Sequence, residues 1–186
     1  VLALLPFFHI YGMTVLLNIA IKKRARLVTM PKFDLGEFLR IIETHRCTYL
    51  FIAPPIAVAL AKHPLIDNFD LTSVRTVFSG AAPIDSALMK AVADRLGTRT
   101  RQGYGMSEAS PVTHVLPLEE NGMPLGSVGV PIANTEVKLV STETGEEIDA
   151  VKGAQSEPGE IWVRGPQIML GYLGRDDATQ EATADD

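Results

Sequence analysis

From Arg26 to Gly103 short apolar runs alternate with segments whose apolar residues recur every three to four positions. That alternation constrains the fold more than any other feature, because strands separated by helical connections are laid side by side in parallel. Arg26–Met30 reads as a short buried strand, "TYLFIA" as a second and "VRTVFSG" as a third. Between the first two, "DLGEFLRIIE" places Asp34 and Glu37 at capping-box spacing and Leu35, Phe38, Leu39 and Ile42 at i, i+3, i+4 and i+7. Pro54 and Pro55 can open a helix running to about Lys62. In "DSALMKAVADRLG" Asp85 is the N-cap, Ile84 and Met89 are spaced for a hydrophobic staple, and Gly97 is the stop. Met13–Ile21 is a further apolar run of helical length. Strand and helix alternate four times before Gly103, which predicts an α/β layer with a mostly parallel sheet and flanking helices.

From about Leu116 the pattern changes. Gly126, Gly129 and Pro131 punctuate a loop, and "TEVKLV" and "EIWVRG" alternate with period two between turn residues such as Thr144-Gly145 and Pro158-Gly159. This predicts a smaller β-rich subdomain. "DAVKGAQSE" reads as a solvated loop. The expected organisation is an α/β subdomain over residues 1–115, a β-rich one over 116–175 and an acidic tail over 176–186.

At 186 residues and 46% hydrophobic, the chain can bury a sizeable core. Its net charge of -5 is concentrated at one end. Arg175 to Asp186 holds five of the 22 acidic residues and one of the 17 basic ones, leaving a body of 16 basic against 17 acidic. Such a body gives no electrostatic reason to bind nucleic acid. Cys47 is the only cysteine, which excludes internal disulfides and makes a reducing cytoplasm the expected setting. The apolar runs are too short and too interrupted for a transmembrane segment.

Parallel strands bring the loops at their carboxyl ends to one edge, where open α/β folds bind ligands. Two such loops are Ser79–Pro83, "SGAAP", and Gln102–Glu108, "QGYGMSE". Glycine allows close approach to the main chain, an aromatic ring can stack on a base, a hydroxyl can bond phosphate, and a carboxylate can hold Mg²⁺. A nucleotide would use all four. The same residues could equally be a glycine turn with an exposed tyrosine and a solvated glutamate. His9, in "PFFHIYG", is either a site residue or a hydrogen-bonded core histidine. His45, His63 and His114 lack ligand spacing, and neither the P-loop nor the dinucleotide-binding glycine pattern occurs.

Five segments in order, "LLPFFHIYG", "SGAAP", "QGYGMSEASPV", "GSVGVP" and "GEIWVRGPQIMLGYL", closely resemble successive landmarks of the adenylate-forming acyl-CoA synthetases. Within that superfamily the resemblance is closest to 4-coumarate–CoA ligases and medium-chain acyl-CoA synthetases. It implies activation of a carboxylic acid with Mg²⁺ and ATP as an acyl-adenylate, followed by transfer to the thiol of coenzyme A. By the same resemblance Gln102, Gly103, Tyr104 and Gly105 surround the nucleotide, with Tyr104 stacked on adenine, and backbone at Ala81 and Ala82 lines the adenylate site. Ser107 bonds the α-phosphate where the family more often has threonine, Glu108 binds Mg²⁺, and His9 borders the reacting carboxylate. Tyr11, Val15, Gly80, Gly105, Pro111 and Val112 are implied to line the acyl pocket.

The resemblance also identifies missing parts. The phosphate loop expected before Val1, the ribose-binding aspartate expected after Asp186, the hinge and the C-terminal domain with its catalytic lysine are not in the sequence. The chain is therefore expected to be an internal piece of a large N-terminal domain, partnered by the rest of its parent chain and inactive alone. No acidic residue lies between Val1 and Lys32, so nothing in that segment could pair with a substrate ammonium. Aryl propenoates and medium-chain fatty acids both fit. A luciferase-like or aryl-acid adenylating enzyme, or a non-catalytic nucleotide-binding fragment, are the rival readings.

Overall fold

A computed structural model describes residues 1–117, 123–149 and 154–184. Its main sheet runs β2-β1-β3-β4-β5-β6-β7. The strands are β1 (Leu2–Ala3), β2 (Val28–Thr29), β3 (Tyr49–Ile52), β4 (Thr76–Ser79), β5 (Arg99–Gly105), β6 (Val112–Val115) and β7 (Val130–Pro131). Every pair from β2 through β5 is parallel, and β6 and β7 are antiparallel additions. The mostly parallel sheet is as the alternation predicts. β7 joins it although it lies beyond residue 116.

Between β1 and β2 the apolar run does not form one α-helix. Tyr11–Asn18 winds as a π-helix and continues into a short α1 (Ile19–Lys22). A mostly apolar stretch, with Thr14 and Asn18 its only polar side chains, carries too little periodicity to distinguish the two pitches. α2 (Leu35–His45) buries Phe38, Leu39 and Ile42 of the predicted stripe and half-buries its first member, Leu35, while Ile41, outside the stripe, is buried too. The Asp34 carboxylate caps the helix by accepting from the Glu37 N–H at 2.8 Å. α3 (Pro54–Lys62) starts at the two prolines. α4 (Ser86–Leu96) is capped by Asp85, which accepts from the Ala87 N–H at 3.0 Å, and stops at Gly97 with φ +59°.

Strand alternation divides the sheet's faces. Leu50, Ile52 and Val77 point into a buried cluster with Phe38, Leu39, Ile42, Leu60, Met89 and Val92 from α2, α3 and α4. Tyr49, Phe51 and Phe78 point to the other face and stay half-exposed, their rings in a row at 6.2 and 5.6 Å. A separate antiparallel sheet, β10-β8-β9, is formed by β8 (Glu136–Val140), β9 (Glu147–Ile148) and β10 (Glu160–Arg164), the two period-two segments among them. The segment expected as an acidic tail begins with α5 (Asp176–Ala182), whose first turn holds Asp176 and Asp177 where the helix dipole favours negative charge. Part of the loop "DAVKGAQSE", residues 150–153, lies outside the described residues. Among those described, no helix is long and apolar enough to cross a membrane.

Candidate active site

β4 ends at the buried Ser79, and the chain bends through Gly80 and Ala81, where Ala81 adopts φ +71°. A left-handed alanine is uncommon and costs conformational energy, the kind of strain that gathers at ligand-binding turns. Alongside, β5 stays parallel to β4 up to Gln102 opposite Ser79, and from Gly103 it pairs antiparallel with β6. "GYG" is therefore the end of a strand rather than a free loop, with a register shift between Tyr104 and Gly105. The chain itself uses the missing side chains. A Cβ on Gly103 would stand 2.7 Å from the His114 carbonyl oxygen, and one on Gly105 would collide with the carbonyl of Pro111. The sequence leaves these glycines as either a ligand approach or a plain turn; the partner exchange adds a structural requirement that neither reading contains.

The loops meet at the carboxyl edge of the sheet around a cleft of ≈ 190 Å³. His9 and Tyr11 reach it from the segment after β1, Gly80 and Ala81 from the turn after β4, and Gly103, Tyr104, Gly105, Ser107, Pro111 and Val112 from β5 and its continuation. His9 is exposed, its Nδ1 accepting the Tyr11 N–H at 3.1 Å, so the core-histidine alternative does not hold. Tyr104 presents a partly exposed ring whose centroid lies 6.1 Å from that of His114. Ser107 opens a 3₁₀ turn and is exposed. Tyr11 is buried, and its hydroxyl has no hydrogen-bond partner among the described residues. Burial pushes that phenol well above its ordinary pKa, so it stays protonated with its O–H unused.

Four candidates lie outside this lining. Val15 borders a larger cavity of ≈ 490 Å³ between the π-helix and the half-exposed face of β3, where Tyr49 and Phe51 also contribute. Gln102 is buried and its side-chain amide donates to the Leu125 carbonyl at 2.7 Å. Ala82 is exposed in the bend after Ala81. Glu108 follows Ser107 in the turn, and its Oε1 accepts the Tyr172 O–H at 2.6 Å. That bond holds the Glu108 carboxyl below its ordinary pKa and keeps it ionised. Conversely, Ile10, Phe78 and Met106 line the cleft without having been singled out. Period-two alternation in "TVFS" could have found Phe78, since Val77 and Ser79 face the opposite way. Nothing in the sequence pairs Tyr172 with Glu108.

Among the described residues no three His, Cys, Asp or Glu side chains converge on a metal site. A single ionised carboxylate nevertheless suits Mg²⁺, which is commonly held by one or two carboxylates together with substrate phosphates.

Residues 1–173 match the family described as AMP-binding enzyme. The chain belongs to that family. This AMP-binding chain is 40% identical over 183 residues to a probable 4-coumarate–CoA ligase of Dictyostelium discoideum, covering 97% of this chain and 32% of that protein. It thus spans about a third of the length of such curated relatives. Its structure resembles a long-chain-fatty-acid–CoA ligase from Archaeoglobus fulgidus with a TM-score of 0.87 at 26% identity, over 100% of this chain and 38% of the other. ATP-bound MatB from Rhodopseudomonas palustris is similar at a TM-score of 0.86 and 26% identity, over 100% and 35%.

Proposed function

We propose that the AMP-binding chain is part of an ATP-dependent acyl-CoA synthetase that activates a carboxylic acid as its adenylate and passes the acyl group to coenzyme A. The observation that carries this reading is the convergence of residues 9–11, 80–81 and 103–107, distant in sequence, on one glycine-walled cleft at the carboxyl edge of a parallel sheet. The names of the similar proteins, ligases of 4-coumarate and of long-chain fatty acids and an ATP-bound enzyme, support the same chemistry.

In this reading Tyr104 offers its exposed ring to adenine, backbone at Gly103 and Ala81 borders the adenylate, and the Ser107 hydroxyl donates to the α-phosphate. Ala82 and Gln102 support the turns that present these groups. Glu108 would hold Mg²⁺ through its ionised carboxylate. Bound Mg²⁺ supplies charge neutralisation on the phosphates. His9 lies where the acid's carboxylate would enter, and Tyr11, Gly80, Pro111 and Val112 form the wall beyond it. Among the described residues none that lines the cleft is acidic, so a substrate ammonium would find no partner in this lining. That favours an acid without an α-amino group, an aryl propenoate or a fatty acid, and the unpartnered Tyr11 hydroxyl fits an acid carrying a polar group. We place the activity in the cytoplasm, where a lone thiol stays reduced.

The test is pyrophosphate exchange by the full-length protein across a panel of acids, followed by thioester analysis with coenzyme A. Exchange with aryl propenoates or fatty acids and a CoA thioester product are expected. Glu108→Gln, which keeps the shape but not the charge, should lower exchange about 10²- to 10³-fold with adenine binding largely retained. Exchange with amino acids only, or an adenylate never passed to coenzyme A, would overturn the proposal.

A further inference from the structure

The contact between Glu108 and Tyr172 joins residues 64 apart in the chain. It is one of two bonds that the same segment makes to this glutamate. The Met169 N–H donates to the Glu108 carbonyl oxygen at 2.7 Å, and the Tyr172 O–H donates to Oε1 at 2.6 Å, so Glu108 is held at both its backbone and its carboxylate. The holding segment is anchored in turn. The Tyr172 N–H donates to Thr179 Oγ1 at 2.9 Å, and that hydroxyl donates to the Arg175 carbonyl at 2.9 Å, tying Tyr172 to α5. Gly171 makes the approach possible, since at φ +147° a Cβ would stand 2.8 Å from Thr179 Cγ2. Tyr172 itself lies at the surface and fills no core.

A carboxylate that accepts one fixed donor on Oε1 has its rotation restricted and keeps Oε2 available. We infer that Tyr172 is the positioning residue for the Glu108 carboxylate, orienting it for a divalent cation held together with the nucleotide phosphates. The inference rests on the reading of Glu108 as the Mg²⁺ ligand and adds the residue that aims it. Hydrogen-bond partners behind a metal-binding group typically change metal affinity or activity by about 10- to 100-fold when removed. Sequence distance hides this role, because "GYL" and "MSE" come together only through the docking of the segment after β10.

The experiment is a titration of the full-length protein with Mn²⁺ in the presence of ATP, followed by electron paramagnetic resonance, for the wild type, Tyr172→Phe and Glu108→Gln. Nucleotide affinity without metal and melting temperature are measured on the same preparations. Tyr172→Phe keeps the ring and removes only the donor. It is expected to weaken Mn²⁺ binding about 10-fold or more, with nucleotide affinity and melting temperature unchanged. If Glu108→Gln weakens Mn²⁺ binding and Tyr172→Phe does not, the positioning role is overturned while the metal-ligand reading stands. If neither variant changes Mn²⁺ binding, both fall. A Tyr172→Phe protein that loses nucleotide and metal affinity together would show a merely structural contact and also overturn the inference.

Discussion

His9 illustrates how one residue's surroundings settle a choice that its neighbours in sequence leave open. An aromatic, apolar context permits a buried histidine, yet the ring is exposed at the cleft and accepts a single N–H from Tyr11. His9→Ala should therefore change the melting temperature only slightly, since one part-buried hydrogen bond contributes about 0.5–1.5 kcal/mol. Turnover by the full-length enzyme should fall, by up to about 10²-fold if the ring positions the reacting acid. Calorimetry and steady-state kinetics on one preparation check this. A large loss of stability with normal turnover would return His9 to a structural role.

Among the elements, α2 was the most legible, because its cap and its stripe lie within a dozen consecutive residues and both report the same helix. Its C-terminal end depends on something more distant. Arg46, in left-handed conformation after the last turn, pairs with Asp70 at 2.6 Å, and Asp70 also accepts the hydroxyl and N–H of Thr72. The Thr72 bonds, reinforced by Arg46, lower the Asp70 pKa to about 2. A carboxylate whose pKa is lower folded than unfolded stabilises the fold above the unfolded value, about 3.9, and that contribution is lost as pH falls toward 2. Urea unfolding midpoints at several pH values should thus drop between pH 4 and 2 less steeply for Asp70→Asn than for the wild type. Equal slopes would mean that the pair contributes nothing, as exposed ion pairs often do. β5 was the least legible element, because its glycines read as a turn and only the exchange of partners from β4 to β6 makes them strand.

Across the whole molecule, the helices α2, α3 and α4 close one face of the main sheet and leave Tyr49, Phe51 and Phe78 half-exposed on the other, beside a cavity bordered by Val15, Leu16 and Ile19. Phe8, Ile21, Leu170 and Leu173 are exposed as well. The 186-residue chain by itself should therefore enhance the fluorescence of an apolar dye and self-associate in light scattering, as exposed apolar patches do. A monodisperse, dye-silent chain would show that this face closes on itself. The alternation of strand and helix, the two aspartate caps, the proline start of α3 and the two period-two strands were determined by the sequence, because each is a local pattern that its own residues satisfy. Tertiary structure alone decided the rest. The π-helical winding of Tyr11–Asn18, the strand at "GYG", the exposure of His9 and the bond from Tyr172 to Glu108 all depend on groups brought from elsewhere in the chain or on a pitch that apolar composition does not encode. Local sequence specifies what a segment can form, and packing specifies which of its polar atoms find partners.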